Sequence, residues 1–580
     1  MDKVTLTIDG QKVEAAPGST VLEVARKIGI HIPTLCYLKD INEIGACRMC
    51  IVEVKGAKTL QTSCVLPVSE GMEIITNSPA VRESRKFVLE LLLSDHNVEC
   101  PTCVRNLNCE LQKLSEELGI KSIRYPGEKH RSIFDDFSPS IVRDTSKCIL
   151  CHRCISTCHD IQGVGVIASN FRGFHTVISP VYNMSLAETP CVNCGQCIIS
   201  CPVGALKEKD DTHKVWQALA DPDKFVVVQT APALRVSLGE EFGKKPGAVV
   251  TKQLPTALRK LGFDKVFDTD FTADLTILEE GSEFLDRLQN GGKLPLMTSC
   301  SPGWIKFCEH YYPEFLENLS TCKSPQQMFG ALVKTFYAEK MGLDPSKIFS
   351  VSIMPCTAKK YECLRPEMNS SGYQDVDVVL TTRELSRMLK EAGVDVNKLP
   401  EGEFDEPLGI STGAAAIFGA TGGVMEAALR TIYEIVTGKE LENIDFSEVR
   451  GVEGVKEATI DVEGTKVNVA VAHSLSNARK VLDRVKNGKA DYHFIEIMCC
   501  PGGCVGGGGQ PLLSSDERWE IDYRETRGNA IYRVDQSMPL RKSHKNPAVQ
   551  ALYKEYLGTP LGQKSHQLLH THYTKRPLYT

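Results

Sequence analysis

Cysteine is the residue type with the clearest chemical signal in this chain. The 580-residue sequence contains 23 cysteines, and two runs repeat the spacing C-x2-C-x2-C-x3-C. In this spacing the thiolates hold paired four-iron clusters, and the fourth cysteine of each run serves the other cluster. The runs are Cys148, Cys151, Cys154, Cys158 and Cys191, Cys194, Cys197, Cys201. We expect Cys201 to join Cys148, Cys151 and Cys154, and Cys158 to join Cys191, Cys194 and Cys197.

A third group lies nearer the N terminus, with the spacing C-x10-C-x2-C-x13-C. Its four thiolates suit a two-iron, two-sulfur (2Fe-2S) cluster, although the first gap departs from the C-x4-C-x2-C spacing of plant ferredoxins. A tetrahedral zinc site is the alternative. The group consists of Cys36, Cys47, Cys50 and Cys64.

A histidine precedes the fourth group, which reads His96-x3-Cys100-x2-Cys103-x5-Cys109. Three cysteines and one histidine are also a common zinc pattern, so taken alone the motif leaves zinc and iron–sulfur open. Its position between two iron–sulfur segments favours a 4Fe-4S cluster with His96 as the fourth ligand. A neutral imidazole removes one negative charge and should raise the reduction potential of that cluster.

Four further cysteines are widely separated: Cys300, Cys356, Cys500 and Cys504. Tight cysteine pairs are typical of structural zinc, so this separation favours a bulky cofactor held between loops. The first three follow apolar runs that predict buried strands, and the carboxyl ends of such strands form the usual site of an α/β sheet. The runs are 225–228, 293–297, 349–354, 376–380 and 493–498.

The glycines of the loop PGGCVGGGGQP, around Cys504, should let the backbone approach that cofactor closely. Of the cysteines outside these groups, Cys308, Cys322 and Cys363 are interpreted as buried thiols. Cys499 stands beside an expected ligand, and its role is left open.

The elements that position these groups predict a multidomain fold of mixed α+β and α/β class. A hairpin and a Thr20–Glu23 capping box indicate a β-grasp 2Fe-2S domain at the N terminus. The predicted order is a 2Fe-2S domain (1–80), a 4Fe-4S domain with one histidine and three cysteine ligands (81–126), a two-cluster ferredoxin domain (127–209), a large α/β domain (210–514) and a C-terminal tail (515–580).

Composition excludes several classes of protein. Hydrophobic residues make up 42% and charged residues 24%, which is typical of a folded chain rather than a disordered one. The net charge of −6 gives no basic field for nucleic acid or anionic lipid. The most apolar stretch, from Ile410, contains Glu426 and falls short of a membrane span. We expect a cytoplasmic protein, where thiols stay reduced.

Three segments together resemble the signatures of iron-only (FeFe) hydrogenases: TSCSPGW (298–304), MPCTAKKYE (354–362) and EIMCCPGGCVGGGGQP (496–511). The resemblance covers essentially the whole chain and is to the monomeric clostridial type and to the hydrogen-converting subunits of NAD-linked, electron-bifurcating complexes. The tail resembles a region that some relatives carry as a separate small subunit. The first two cluster segments also resemble those of the large iron–sulfur subunit of complex I.

The resemblance implies an H-cluster, a 4Fe-4S cubane joined to a two-iron subsite with carbon monoxide, cyanide and azadithiolate, installed by maturation proteins. Cys300, Cys356, Cys500 and Cys504 would ligate the cubane. Cys504 would bridge to the two-iron unit and Lys359 would bond a cyanide. The implied pocket walls, for several of which plain core packing is the alternative, are Ala231, Pro232, Ala233, Ser324, Gln326, Met354, Phe418 and Met498.

One position departs from the family pattern. Many relatives read Cys-Cys-Pro where this chain reads Cys300-Ser301-Pro302. By position Cys300 matches a proton carrier and Ser301 the cubane ligand, whereas by chemistry the thiol is the better iron ligand. Compensation by Cys499 is a third possibility. The sequence leaves these alternatives open.

The family's proton path maps from Cys300 onto Glu280, Ser320, Glu283 and Arg287. The two glutamates and the arginine are spaced i,i+3 and i,i+4, so they share one helix face. Without the resemblance, this face would be interpreted as a solvated, salt-bridged surface.

The predicted function is the reversible reduction of protons to hydrogen. Electrons would arrive from ferredoxin or from NAD-linked flavoprotein subunits, since the chain carries no nucleotide-binding fingerprint of its own. The alternative is an electron-transfer or hydrogen-sensing subunit without fast turnover.

Overall fold

The computed structural model describes residues 3–130, 132–441, 444–462 and 465–579. At the N terminus, the predicted hairpin pairs Val4–Ile8 with Gln11–Ala15 through a turn at Asp9 and Gly10, both with positive φ. The remaining strands of this five-stranded sheet are Ile51–Val54, Gln61–Thr62 and Glu73–Ile75.

The predicted capping box begins the first helix. The Thr20 hydroxyl accepts from the Glu23 N–H at 3.3 Å, and the Glu23 carboxylate accepts from the Thr20 N–H at 2.8 Å. The helix then runs over Val21–Lys27 and packs its buried valines and leucine on the sheet. This part of the prediction is confirmed.

Short elements surround the cysteine groups of residues 81–209. Two helices, Pro79–Asp95 and Glu110–Glu117, enclose the His96 group. The two ferredoxin-like runs enter the short helices Arg153–Ser156 and Gln196–Ser200. The strands of this region are Phe134–Asp135, Ile141–Asp144 and Leu206–Glu208 in one sheet and Ala168–Asn170 with Val177–Ser179 in a hairpin.

Residues 210–514 contain two four-stranded sheets. The first is wholly parallel, in the order Lys265–Asp268, Phe225–Thr230, Ile348–Met354, Val378–Thr381. The second places Leu296–Met297, Phe494–Met498 and Thr465–His473 in parallel, with Val455–Val462 antiparallel at the edge. All five predicted runs contain strands, although the run at 293–297 forms a strand of only two residues.

Helices cover both sheets of this region, which buries the strands on two faces. The apolar stretch from Ile410 is broken into separate helices, and within the described ranges no helix is long and apolar enough to cross a membrane. The main helices are Gln253–Leu261, Thr269–Asn290, Pro302–Tyr311, Pro325–Leu332, Ala358–Glu362, Thr382–Glu391, Gly413–Ala416, Gly423–Thr437 and Leu475–Lys486.

The C-terminal tail ties distant parts of the chain together. The Arg26 guanidinium of the N-terminal region lies over the Trp519 ring at 5.2 Å and pairs with Asp516 at 2.9 Å. Further along, residue His570 forms a β-bridge with Cys322. The tail helices are Ser515–Glu520, Tyr523–Ser537, Pro547–Leu552 and Gln563–Leu569.

Candidate active site and electron relay

The ends of three parallel strands converge on one cavity of about 800 Å³. Cys300, Cys356 and Cys500 follow these strands, and Cys504 enters from the glycine loop. The two sheets thus bring together thiols that are far apart in sequence. The outermost two, Cys300 and Cys504, are 204 residues apart. The other predicted residues that line the cavity are Ala231, Pro232, Gln326, Met354, Lys359, Phe418 and Met498.

Ser324 is set back from the cavity, contrary to the sequence expectation. Its hydroxyl donates to the Glu362 carboxylate at 2.9 Å, and the neighbouring Pro325 lines the cavity instead. Ala233 is likewise buried behind the lining residues, where its carbonyl accepts from the Ser237 hydroxyl.

The donor set suits an iron–sulfur cluster. Burial, followed by the nearby Cys500 thiol, raises the pKa of Cys504 to about 12, and burial also raises the pKa of Cys356. Neutral thiols crowded in an apolar cavity gain strongly when a cluster binds them as thiolates, because the cluster supplies the missing positive charge. The cavity therefore fits a cubane with an attached unit.

Glu362 is a site residue that sequence reasoning missed. The Lys359 ammonium donates to the Glu362 carboxylate at 2.9 Å and to the Cys300 carbonyl at 3.1 Å. The same carboxylate accepts from Gln326 at 3.1 Å. Glu362 lies one helical turn after Lys359 in the MPCTAKKYE segment, so the i,i+3 spacing was the available signal.

Several glycines of the glycine loop lie close to neighbouring protein backbone. A Cβ on Gly507 would overlap the Pro355 carbonyl, and one on Gly508 would overlap the Cys194 carbonyl. Of the glycines in this loop, only Gly503 and Gly507 line the cavity. The glycines therefore allow the loop to pass close to neighbouring backbone and so fix Cys504.

Cys300 and Ser301 face different partners. The Ser301 hydroxyl accepts from the Cys499 N–H at 3.1 Å. Burial, followed by the nearby Glu280 carboxyl, raises the pKa of Cys300 well above its usual value. Both residues line the cavity, so position alone gives each of them access to a cofactor.

The predicted proton path is buried, so the solvated alternative for this helix face is wrong. Glu280 and Glu283 of the Thr269–Asn290 helix are 2% and 7% exposed. The Ser320 hydroxyl donates to Glu283 at 2.8 Å, and the Arg287 guanidinium donates to Glu283 at 2.6 Å. Burial, followed by the charge of Glu283, raises the pKa of Glu280 to about 8.

Two smaller cavities collect the cysteines of the ferredoxin-like runs. One of about 470 Å³ is lined by Cys148, Cys151, Cys154 and Cys201. The second, of about 360 Å³, is lined by Cys158, Cys191, Cys194 and Cys197. Each cavity thus contains three cysteines from one run and the last cysteine of the other.

Cys194 lines both its own cavity and the active-site cavity. Hydrogen bonds join the second cysteine run to segments that line the active-site cavity. The Gln196 side chain donates to the Gly506 carbonyl at 2.8 Å, and the Thr357 hydroxyl donates to the Asn193 carbonyl at 2.7 Å. This junction therefore connects the second cysteine run directly to the catalytic cavity.

The N-terminal cysteines also come together. The Cys36 N–H lies 3.3 Å from the Cys47 sulfur, and Cys50 and Cys64 form a second adjacent pair. His96 is 8% exposed, and its Nδ1 has no hydrogen-bond partner among the described residues. This nitrogen is therefore available as a ligand.

The chain matches four known families along its length. Residues 224–508 match "Iron only hydrogenase large subunit, C-terminal domain", and residues 521–576 match "Iron hydrogenase small subunit". Residues 1–79 match a 2Fe-2S iron-sulfur cluster binding domain. Residues 85–124 match the NADH-ubiquinone oxidoreductase-G iron-sulfur binding region.

Relatives and solved structures agree with these matches. The chain is 51% identical to NADP-reducing hydrogenase subunit HndD of Solidesulfovibrio fructosivorans, over 99% of this chain and 100% of that protein. It is 42% identical to iron hydrogenase 1 of Clostridium pasteurianum, over 98% of this chain and 100% of that protein. A structure of [FeFe]-hydrogenase HydA1 from Chlamydomonas reinhardtii aligns with 44% identity and a TM-score of 0.57, over 64% of this chain and 100% of that one.

Proposed function

This chain belongs to the iron-only (FeFe) hydrogenase family, and from that premise we propose how its own residues carry out the reversible reduction of protons to hydrogen. The observation that carries the proposal is the convergence of four thiols, one ammonium group and a buried carboxylate path on one cavity. A sensing or purely electron-transferring subunit has no need of a buried proton path, so this convergence favours an enzyme.

The bound H-cluster would supply the metal chemistry that joins two electrons and two protons. Cys356, Cys500 and Cys504 would hold it, with the fourth position contributed by Cys300 or Ser301. Lys359, fixed by Glu362, would donate a charge-assisted hydrogen bond to an anionic ligand of the cluster. Met354, Phe418 and Met498 would exclude water from the cavity.

We assign Cys300 to proton transfer and Ser301 to the fourth ligand position. Cys300 lies beside Glu280, the first carboxyl of the path, whereas Ser301 is held to the Cys499 backbone at the other side. The assignment is tested by Cys300→Ala and Ser301→Ala. We expect the first variant to keep its iron and lose turnover, and the second to lose the cubane signal in electron paramagnetic resonance. The reverse outcome would make Cys300 the ligand.

Protons would travel between solvent and the cavity through Arg287, Glu283, Ser320, Glu280 and Cys300. The Ser320 hydroxyl can accept and donate in turn, and it already bonds Glu283. Glu280, with a pKa near neutral pH, can both release and recover a proton.

Electrons would pass through the accessory clusters. We propose one 2Fe-2S cluster on Cys36, Cys47, Cys50 and Cys64 of a β-grasp domain, and a 4Fe-4S cluster on His96, Cys100, Cys103 and Cys109. Two further 4Fe-4S clusters would occupy the cavities of about 470 and 360 Å³. Because Cys194 also lines the catalytic cavity, its cluster would be the last in the relay.

The physiological partners would be ferredoxin or NAD-linked flavoprotein subunits. The relative HndD is named as a subunit of an NADP-reducing hydrogenase, which supports a multi-subunit assembly for this chain. Co-purification from the native host with flavin-containing companions would support that assembly. Isolation as a free chain that accepts electrons from ferredoxin would contradict it.

The direct test of function is anaerobic expression with the hydrogenase maturation proteins, followed by hydrogen evolution from a reduced low-potential mediator. We expect hydrogen together with about 20 iron atoms per chain, the sum for one 2Fe-2S cluster, three 4Fe-4S clusters and the H-cluster. Full iron loading without hydrogen would contradict the enzyme and favour a relay or sensor.

A further inference from the structure

A cluster of three different metal-binding side chains lies against the proposed proton path. One ligand atom each from Glu283, Cys322 and His570 lies within 4.8 Å of the other two, and all three residues are buried. They come from three separate segments: a helix, the loop before Pro325–Leu332 and the C-terminal tail. The β-bridge between Cys322 and His570 fixes two of them to each other.

The orientation of His570 is a second, independent observation. Its Nε2 lies 3.1 Å from the Glu279 carboxylate. Glu279 in turn accepts from the Tyr553 hydroxyl at 2.5 Å and from the Leu561 N–H at 2.9 Å. Both oxygens of Glu279 thus accept hydrogen bonds, so the His570 Nε2–H donates to this carboxylate.

The other ring nitrogen, Nδ1, is consequently the one with a free lone pair, and it now meets the Thr321 hydroxyl at 2.8 Å. In zinc proteins, a histidine ligand commonly donates one ring N–H to a carboxylate and binds the metal through its other ring nitrogen. The tail therefore holds His570 in the form that binds a metal.

We propose that Glu283, Cys322 and His570 form an inhibitory site for a borderline divalent cation such as Zn²⁺. Imidazole, thiolate and carboxylate are the three ligand types of zinc, and hard cations such as Mg²⁺ and Ca²⁺ avoid sulfur and nitrogen. Zinc–ligand distances of about 2.0–2.3 Å require the three ligand atoms to move closer to one another by roughly 1 Å, with water as the fourth ligand. Binding releases the proton of Cys322 to solvent.

The inhibition would occur because Glu283 belongs both to the cation site and to the proton path, so it rests on the proposed function. Glu283 accepts hydrogen bonds from Ser320 and Arg287, so it is the link between the outer and inner halves of the path. A carboxylate that ligates a cation is no longer free to take and pass on a proton. Occupation of the site should therefore stop turnover without touching the cavity that holds the H-cluster.

The test uses the iron-loaded enzyme, zinc chloride as the probe and two matched variants, Cys322→Ser and Cys308→Ser. Both cysteines are fully buried, but Cys308 lies in the Pro302–Tyr311 helix and donates to the Tyr312 carbonyl. We expect zinc to stop hydrogen evolution in the wild type and in Cys308→Ser. Cys322→Ser should need at least about tenfold more zinc, because a ligand has been lost.

Zinc-edge X-ray absorption provides a readout that does not depend on activity. We expect one zinc per chain with one sulfur neighbour, and no sulfur neighbour in Cys322→Ser. If that variant is poorly folded, His570→Gln serves as the second variant, with loss of the nitrogen shell expected. A chelator should restore wild-type activity.

Equal zinc sensitivity of the wild type and Cys322→Ser would overturn the proposal, since zinc would then be acting at iron–sulfur cysteines. Failure to bind zinc with a sulfur neighbour would also overturn it, and would leave the proton path untouched. Zinc bound through Cys322 without inhibition would instead contradict the proposed path and the inhibitory role that depends on it.

Discussion

The relay region (residues 1–209) and the catalytic region (residues 210–514) bring their cysteines together in different ways. In the relay region, three cysteines of each ferredoxin-like cavity are close in sequence, so the local turn positions them, and the fourth comes from the other run. In the catalytic region, cysteines from three strand ends and a loop meet only because two sheets lie side by side. A relay site can therefore be lost alone, whereas the catalytic site depends on the packing of the whole region.

The two regions also serve the cavity from different sides. Electrons would arrive at the Cys194 junction, and protons would arrive at Cys300 from Glu280. The separation allows each supply to be removed without the other.

The largest effect is expected from Glu283→Gln. The amide cannot carry a proton between Arg287 and Ser320, so hydrogen evolution should fall by at least about 10²-fold. All clusters should remain, as measured by iron content and electron paramagnetic resonance. Asp286→Asn is the control, because Asp286 lies on the same helix but is exposed and bonds only Asn290 among the described residues. Unchanged turnover in Glu283→Gln would exclude the path.

The next effect is expected from Cys194→Ser in the last relay site. Serine should lower the potential of that cluster or prevent its assembly, and each 59 mV of lowering reduces the equilibrium constant for one-electron reduction of the cluster by about tenfold. Carrier-driven hydrogen evolution should fall accordingly, whereas exchange between hydrogen gas and heavy water needs no external electrons and should persist.

Cys308→Ser is the control for this variant. Cys308 is a fully buried thiol of the Pro302–Tyr311 helix that donates to the Tyr312 carbonyl, and we assign it no cluster. Its removal should leave both reactions near wild type. Parallel loss of exchange and carrier-driven activity in Cys194→Ser would mean that the relay and the catalytic site are not separable.

A third, smaller effect concerns pH. The pKa of Glu280 is raised to about 8, so its proton is lost above that pH and with it the donor next to Cys300. At constant driving force, hydrogen evolution should fall by about tenfold per pH unit above 8. A rate that stays flat to pH 10 would show that Glu280 does not supply the proton.

The same pKa predicts the direction of the stability change. In the unfolded chain a glutamate has a pKa of about 4.3, so folding favours the neutral acid. The stabilisation is complete below that value and is lost as the pH rises to about 8. Thermal unfolding of Glu280→Gln should depend less on pH over this interval than unfolding of the wild type.

Sequence reasoning reached the two regions to different depths. The pairing of Cys201 with the first ferredoxin-like run was predictable, because spacing alone determines which thiols can share a small cavity. The capping box at Thr20 was predictable for the same local reason. The catalytic cysteines were found through strand ends and family signatures, since their spacing contains no geometric information.

What sequence reasoning missed was non-local. Glu362 bonds Lys359 on its own helix, but its bond from Gln326 follows from how that helix faces a neighbouring one. The edge hairpin Val455–Val462 with Thr465–His473 was also missed, because its pairing depends on a second sheet that no motif marks. His570 reaches Glu279 across 291 residues, a contact that only the folded tail defines.

The smallest effect compares one motif in the two regions. Thr20 and Thr381 both form capping boxes, with Glu23 and Glu384, and each threonine-to-alanine change should cost about 1 kcal/mol. In a small N-terminal domain this would lower the melting temperature by about 4–8 °C, followed by loss of the 2Fe-2S signal on heating. Hydrogen evolution from a mediator should survive.

Thr381→Ala should behave differently, because Thr381 is buried and Glu384 also accepts from Lys360 at 2.9 Å. Its helix lies directly behind the Ile348–Met354 strand that leads to Cys356, so heating should remove hydrogen evolution earlier than in the wild type while the 2Fe-2S signal is unchanged. If both variants lost both signals at one temperature, the relay and catalytic regions would unfold as a unit. Their separation would then apply to the supply of electrons and protons but not to stability.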